Sequence, residues 1–223
     1  MSIHTSSLLL IGAGKMGSAL VSAWIAAGLP ATSITLVDPN PKNPPGGVKV
    51  LTTLAEVTGD HDCIVLAVKP QSMDDVMELL AKKYADATKP LFLSIAAGKT
   101  LNYFKKSLPH AAIVRAMPNT PAIVGKGITA LIANERTSDT QRKLAEELLN
   151  AAGKTVWLQS EGQMDAVTAV SGSGPAYMFY FLELLIDAGK AQGLPDDICK
   201  QLAIETMIGS ARPNRVSATA DAH

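Results

Sequence analysis

Five short apolar runs recur along the first half of the chain, at Leu8–Ile11, Ile34–Val37, 63–68, 91–95 and 112–116, with helical character between most of them. Runs of this length that are apolar throughout suit strands buried on both faces, and their alternation with helices predicts a parallel sheet with crossover helices. In the first helix Met16, Leu20, Ala23 and Ala27 recur at spacings that place them on one face, and Gly28 closes the segment. Two further strands are expected at 128–133 and 155–158, flanking a helix at 138–152 with a capping pair in Ser138 and Gln141 and a glycine stop in Gly153.

From Glu161 onward the strand signal ceases, and 163–170, 175–192 and 195–210 read as helices. The chain is therefore expected to be α/β, a Rossmann-type doubly wound sheet over residues 1–160 followed by a smaller all-helical domain over 161–211. At 223 residues it is long enough for both. Pro213 stops the last helix and small polar residues follow, so 212–223 is expected to be a disordered tail. The segment 178–185 is apolar nearly all round, and so small a helical piece has little of its own to bury it. A second subunit is the expected cover, making the protein a homo-oligomer, either a dimer or a multiple of dimers.

Basic and acidic residues balance at 20 each, which argues against nucleic acid or an anionic membrane as partner and for a small molecule. Cys63 and Cys199 have neither a disulfide nor a zinc spacing, so two buried reduced thiols and no metal are expected. No basic segment precedes an apolar run at the N-terminus, and no stretch approaches the roughly 20 apolar residues of a membrane helix. The expected location is the cytoplasm.

Gly12-Ala13-Gly14-Lys15-Met16-Gly17 follows the first strand and opens the first helix. In that setting the first glycine permits a tight turn, the second lets backbone approach a pyrophosphate, and the third allows close helix–strand packing. Asp38 ends the second strand, where an acidic residue takes the ribose hydroxyls of NAD. Lys42, Asn40 and Asn43 follow closely and could instead hold a 2′-phosphate, and an aspartate before a proline is also an ordinary turn starter. NAD and NADP both remain open. Three more loops are expected at carboxyl ends of strands: Ala67-Val68-Lys69-Pro70, Ser94-Ile95-Ala96-Ala97-Gly98 and Arg115-Ala116-Met117-Pro118-Asn119-Thr120-Pro121. Each offers one polar group for a cofactor, namely Lys69, Ser94 and Asn119. In Ser171-Gly172-Ser173-Gly174-Pro175-Ala176-Tyr177, glycines sit in an expected turn and a proline at a helix start, where free N–H groups would suit a carboxylate.

These segments, and above all Asp165-Ala166-Val167-Thr168-Ala169-Val170-Ser171-Gly172-Ser173-Gly174-Pro175-Ala176-Tyr177, resemble pyrroline-5-carboxylate reductase from about residue 8 to about residue 210, in order and at the expected spacing. The resemblance implies a Rossmann domain carrying reduced NADP or NAD, a helical domain that pairs with another subunit, and reduction of a cyclic imine to proline, the last step of proline biosynthesis. By the same resemblance, Gly12, Ala13, Gly14, Lys15, Met16 and Gly17 would hold the pyrophosphate. Ala67, Val68, Lys69 and Pro70 would face the ribose and nicotinamide, Ala96, Ala97 and Asn119 would lie along the nicotinamide, and Ser171, Ser173, Gly174 and Pro175 would border the substrate. The family's Thr-Ser-Pro-Gly-Gly-Thr-Thr motif, which closes around the substrate carboxylate, is not found in this sequence. The alternatives are thus a cofactor-binding chain that turns over poorly, or another imine or hydroxyacid reductase.

The implied chemistry is hydride transfer to a C=N carbon. No catalytic residue stands out, since His4, His61, His110 and His223 all lie outside the candidate loops. A substrate that is readily protonated to an iminium accepts hydride without a strong enzyme acid.

Overall fold

The computed structural model describes residues 6–211, so the tail expected at 212–223 lies outside the described residues. Among those described, eight strands form one sheet in the order β3-β2-β1-β4-β5-β6-β7-β8. The strands β1 (Leu8–Ile11), β2 (Ile34–Val37), β3 (Lys49–Leu51), β4 (Cys63–Leu66), β5 (Leu91–Ser94) and β6 (Ala112–Met117) all run parallel. The expected apolar runs thus became strands, and β3, too short to show as a run, joined at the edge.

The period of two along each strand explains why both faces must be covered. Leu8 and Leu10 of β1 enter one core with Leu20, Val21 and Trp24 of α1 (Lys15–Ala26) and Leu144 and Leu148 of α4 (Asp139–Asn150). Leu9 and Ile11 enter the opposite core with Met73, Met77 and Leu80 of α2 (Met73–Tyr84) and Phe104 of α3 (Leu101–Ser107). Helices on both faces make the sheet doubly wound, as expected.

Three details differ from expectation. The fully buried face of α1 is Gly17, Leu20, Val21 and Trp24; of the expected stripe, Leu20 belongs to it, Met16 and Ala23 are half-buried against the same core, and Ala27 is exposed. Trp24 sets that rotation, because its ring is fully buried and its Nε1 donates to the Leu148 carbonyl at 2.8 Å. Strand β7 (Gly127–Ala133) runs antiparallel to β6, because the connection over 118–126 is too short for a crossover helix and turns the chain back on left-handed Gly125. Finally, Gly153 does not cap α4 but opens β8 (Gly153–Trp157), where a Cβ would stand 2.1 Å from the Gly127 oxygen of the paired strand.

Other local signals hold. Gly28 (φ 96°) ends α1 in a Schellman arrangement, with Leu29 N donating to Trp24 O at 3.0 Å and Gly28 N to Ile25 O at 3.0 Å. The Ser138–Gln141 capping box opens α4.

The chain divides into two compact units, Met1–Gly172 and Ser173–His223. In the second, α6 (Gly174–Ala191) and α7 (Asp196–Ser210) pack on one another at Gly189, where a Cβ would lie 2.7 Å from the Sγ of buried Cys199. Lys190 and Lys200 both pair with Asp196 at the start of α7, at 3.0 and 2.5 Å. None of the 18 residues of α6 is buried.

His61, just ahead of β4, is buried with Nδ1 lacking a partner, and burial, then the nearby Lys83, lower its pKa. The unfolded chain's histidine protonates near pH 6.5, the folded one's only below that. In that window the unfolded state binds more protons, so stability is full above about pH 6.5 and falls as pH drops toward the folded value. A His61→Leu chain is expected to lose less stability than the wild type between about pH 7.5 and about pH 5.5 in urea unfolding. Equal losses in the two proteins would show that His61 contributes no such dependence.

Candidate functional site

Because β1, β2, β4, β5 and β6 are parallel, their carboxyl ends share one edge of the sheet, and the loops after them gather there. The strand order reverses about β1, which has β2 on one side and β4 on the other. At that switch point lies a cleft of about 480 Å³ whose lining includes Gly12, Gly14, Asp38, Ala67, Val68 and Lys69, a size usual for small-molecule sites.

The three glycines have separable reasons. Gly12 has φ 101°, and a Cβ there would stand 2.8 Å from the Ala67 carbonyl, so it lets β1 and β4 end side by side. At Gly17 a Cβ would stand 2.3 Å from the Gly12 oxygen, so α1 could not start so close. Gly14 is different, since nothing lies within 4 Å of the place its Cβ would occupy. Packing within the protein does not demand a glycine there, but a ligand lying against that backbone would. As the N-cap of α1, Gly14 supplies no side chain to the first-turn N–H groups, and no acidic residue sits in that turn. A bare helix N-terminus behind an open glycine matches a pyrophosphate.

Asp38 serves both roles weighed for it. Its Oδ1 accepts from Asn40 N at 2.8 Å, a local turn, and its Oδ2 accepts from Ala13 N at 2.6 Å, which ties the glycine loop to the end of β2. Ala13 N–H is thereby turned away from any phosphate. Lys15 is exposed and Met16 half-buried at the head of α1.

The remaining expected residues divide. Lys69 is exposed and lines the cleft, with Pro70 beginning a 3-10 turn behind it. Ser94 is buried and its Oγ accepts from Ala96 N at 3.3 Å, so its hydroxyl shapes the loop; Ala96 is buried and Ala97 exposed. Asn119 is also buried, its Oδ1 accepting from Ile128 N at 3.0 Å to start β7.

The expected glycine turn after 170 is instead helical. Helix α5 (Met164–Val167) widens into a π-helical stretch over Thr168–Gly172, and Ser173 keeps helical torsions into α6. Gly172 packs close to Met117, for a Cβ there would stand 3.0 Å from the Met117 Cε. Ser171 donates its hydroxyl to Val167 O at 3.1 Å at the end of the first unit. Ser173, Gly174 and Pro175 open α6 in the second, with no side-chain cap and no acidic residue in the first turn. Stretches of π-helix mark functional positions more often than chance.

A curated pyrroline-5-carboxylate reductase from Pseudomonas aeruginosa is 39% identical over 218 residues, covering 94% of this chain and 78% of the relative. The chain belongs to the pyrroline-5-carboxylate reductase family. A second reductase, from Haemophilus influenzae, is 38% identical over 91% of this chain and 76% of its own length. Two family models match, pyrroline-5-carboxylate reductase dimerisation at residues 161–221 and NADP oxidoreductase, coenzyme F420-dependent, at residues 7–98. Among solved structures, the Coxiella burnetii reductase superposes with a TM-score of 0.86 at 36% identity, covering 93% of this chain and 79% of that one. The Plasmodium falciparum reductase, solved with NADP bound, gives 0.84 at 31% identity over 93% and 78%.

Family membership makes the residues missed in sequence more telling. Thr52 and Thr53, after β3, line the same cleft as Asp38, and Asp75 of α2 does too. A signal for the threonines existed: Thr53 and Glu56 form a capping box at the head of a 3-10 turn. Arg115, expected in a loop, lies within β6, where it is buried and ion-paired with Glu161 while Glu161 also accepts from Leu101 N at 2.7 Å; no sequence signal pointed to that pairing. That carboxylate ties the start of the helical segment 161–172 to β6 and to α3 within the first unit.

Proposed function

We propose that the chain reduces 1-pyrroline-5-carboxylate to L-proline with NADH or NADPH. The observation that carries this reading is the bare, open backbone at Gly14 in a chain that matches reductases of this activity over nearly its whole length. When bound, the nicotinamide supplies the hydride. The chain's own groups bind and orient. The α1 N-terminus around Gly14, Lys15 and Met16 holds the pyrophosphate, with Gly12, Ala13 and Gly17 fixing the loop. Ala67, Val68, Lys69 and Pro70 lie along the ribose and nicotinamide, and Ala96, Ala97 and Asn119 border the ring, the asparagine by positioning β7.

Ser171, Ser173, Gly174 and Pro175 hold the substrate carboxylate. The start of α6 supports this through its small residues and the lack of a side-chain cap or acidic residue in its first turn. The imine nitrogen enters already protonated, so orientation is what the protein must add. On this reading residues 1–160 serve the cofactor and 161–211 serve substrate and assembly with a second copy, in the cytoplasm and without nucleic acid. Two free, buried cysteines suit a reducing compartment.

The test is oxidation of NADH and NADPH followed with the cyclic imine, beside cofactor binding by fluorescence. Proline formation at a rate far above the protein-free mixture is expected. Binding without proline would favour a cofactor-holding chain with little turnover, and no binding at all would overturn the reading.

A further inference from the structure

We infer that Asp38 makes the cleft selective for NADH over NADPH; this rests on the proposed nicotinamide-dependent function. The geometry leaves the carboxylate half-engaged. A carboxylate offers about four acceptor positions, and two are taken, by Ala13 N–H and Asn40 N–H at 2.6 and 2.8 Å. The remaining positions can accept from further donors. An unmodified ribose presents two hydroxyls that donate, whereas a 2′-phosphate presents acceptors and about two negative charges.

The two backbone bonds also fix the carboxylate in place. Asn40 N–H holds it from its own turn and Ala13 N–H from the glycine loop, so it cannot swing aside for an incoming phosphate without releasing the loop that holds the pyrophosphate. The surroundings do not compensate. Next to Asp38 the cleft is lined by Pro39, Thr52 and Thr53, none of them cationic, and Asp75 adds a second acid. The cation in the lining is Lys69, which follows β4, two strands from the end of β2 and so about 10 Å away by strand spacing. Lys42, which the sequence offered as a phosphate partner, is exposed and does not line the cleft.

The measurement is the dissociation constant of NADH and of NADPH, by quenching of protein fluorescence, for the full chain and for Asp38→Asn and Asp38→Ser. ADP-ribose and its 2′-phosphorylated form serve as competitors that report the ribose end without turnover. The wild type is expected to bind NADH at least about tenfold tighter than NADPH, a difference of about 1.4 kcal/mol. Asp38→Asn keeps one acceptor for the backbone while losing the charge, and is expected to bring the ratio close to one. Asp38→Ser should do so as well, and the 2′-phosphorylated competitor should gain in both. Equal or tighter NADPH binding by the wild type overturns the selectivity while leaving the proposed function standing. An unchanged ratio in both variants overturns the role of Asp38. Absence of binding by either cofactor overturns both.

Discussion

A Gly14→Val chain is expected to fold with nearly wild-type stability and yet bind NADH or NADPH at least about 100-fold more weakly. The two effects separate because no atom outside the adjoining chain lies within 4 Å of the added Cβ, so the side chain projects into the space in which a pyrophosphate would lie. Replacing glycine at this N-cap by a residue without a capping group costs about 1 kcal/mol or less. Gly17→Ala is the contrasting case. Its Cβ would fall 2.3 Å from the Gly12 oxygen, a clash with backbone that no rotamer relieves. A loss of about 3 kcal/mol is expected there, with binding lost as a consequence. Urea unfolding and fluorescence titration of the two variants check the pair. If Gly14→Val binds as the wild type does, the glycine loop is not where the cofactor lies.

The same contrast shows what a sequence displays and what it conceals. The strands of the sheet centre were legible because burial on both faces forces unbroken apolar runs, as in Leu8–Ile11 and Cys63–Leu66. The edge strand β3 was not, since Lys49 is exposed and three residues leave no periodicity to detect. The face of α1 was read only in part because spacing alone admits several stripes, and the reach of Trp24 to Leu148, 124 residues away in sequence, decides which is most deeply buried. Gly172-Ser173-Gly174 has the composition of a turn, but the chain there continues as a widened helix into α6. At the site, the loop positions could be anticipated from strand ends. The bonds that engage Ser94, Asn119 and Asp38 could not, since two of the three join segments nine and 25 residues apart. The expected apolar excess of 178–185 did appear, as exposed surface on α6.

That surface leads to the second large effect. Tyr177, Tyr180, Phe181 and Leu184 share spacings of three and four on α6 and are 59%, 64%, 53% and 49% exposed in the single chain. Monomeric proteins rarely leave such a contiguous stripe to water, and burying each large side chain contributes about 1.5–3 kcal/mol. A chain carrying Phe181→Asp and Leu184→Asp is therefore expected to associate at least about 100-fold more weakly, because each partner would have to desolvate added carboxylates against an apolar face. Within one chain these positions bury little, so the stability of the first unit should hardly change. Light scattering after size-exclusion chromatography is the check: the wild type should elute at the mass of two or more chains and the double variant at the mass of one, with cofactor binding at the glycine loop retained. A double variant with the wild-type mass would mean that α6 is not the associating surface, and a wild type with the mass of one chain would mean that the stripe is covered by something other than a second copy.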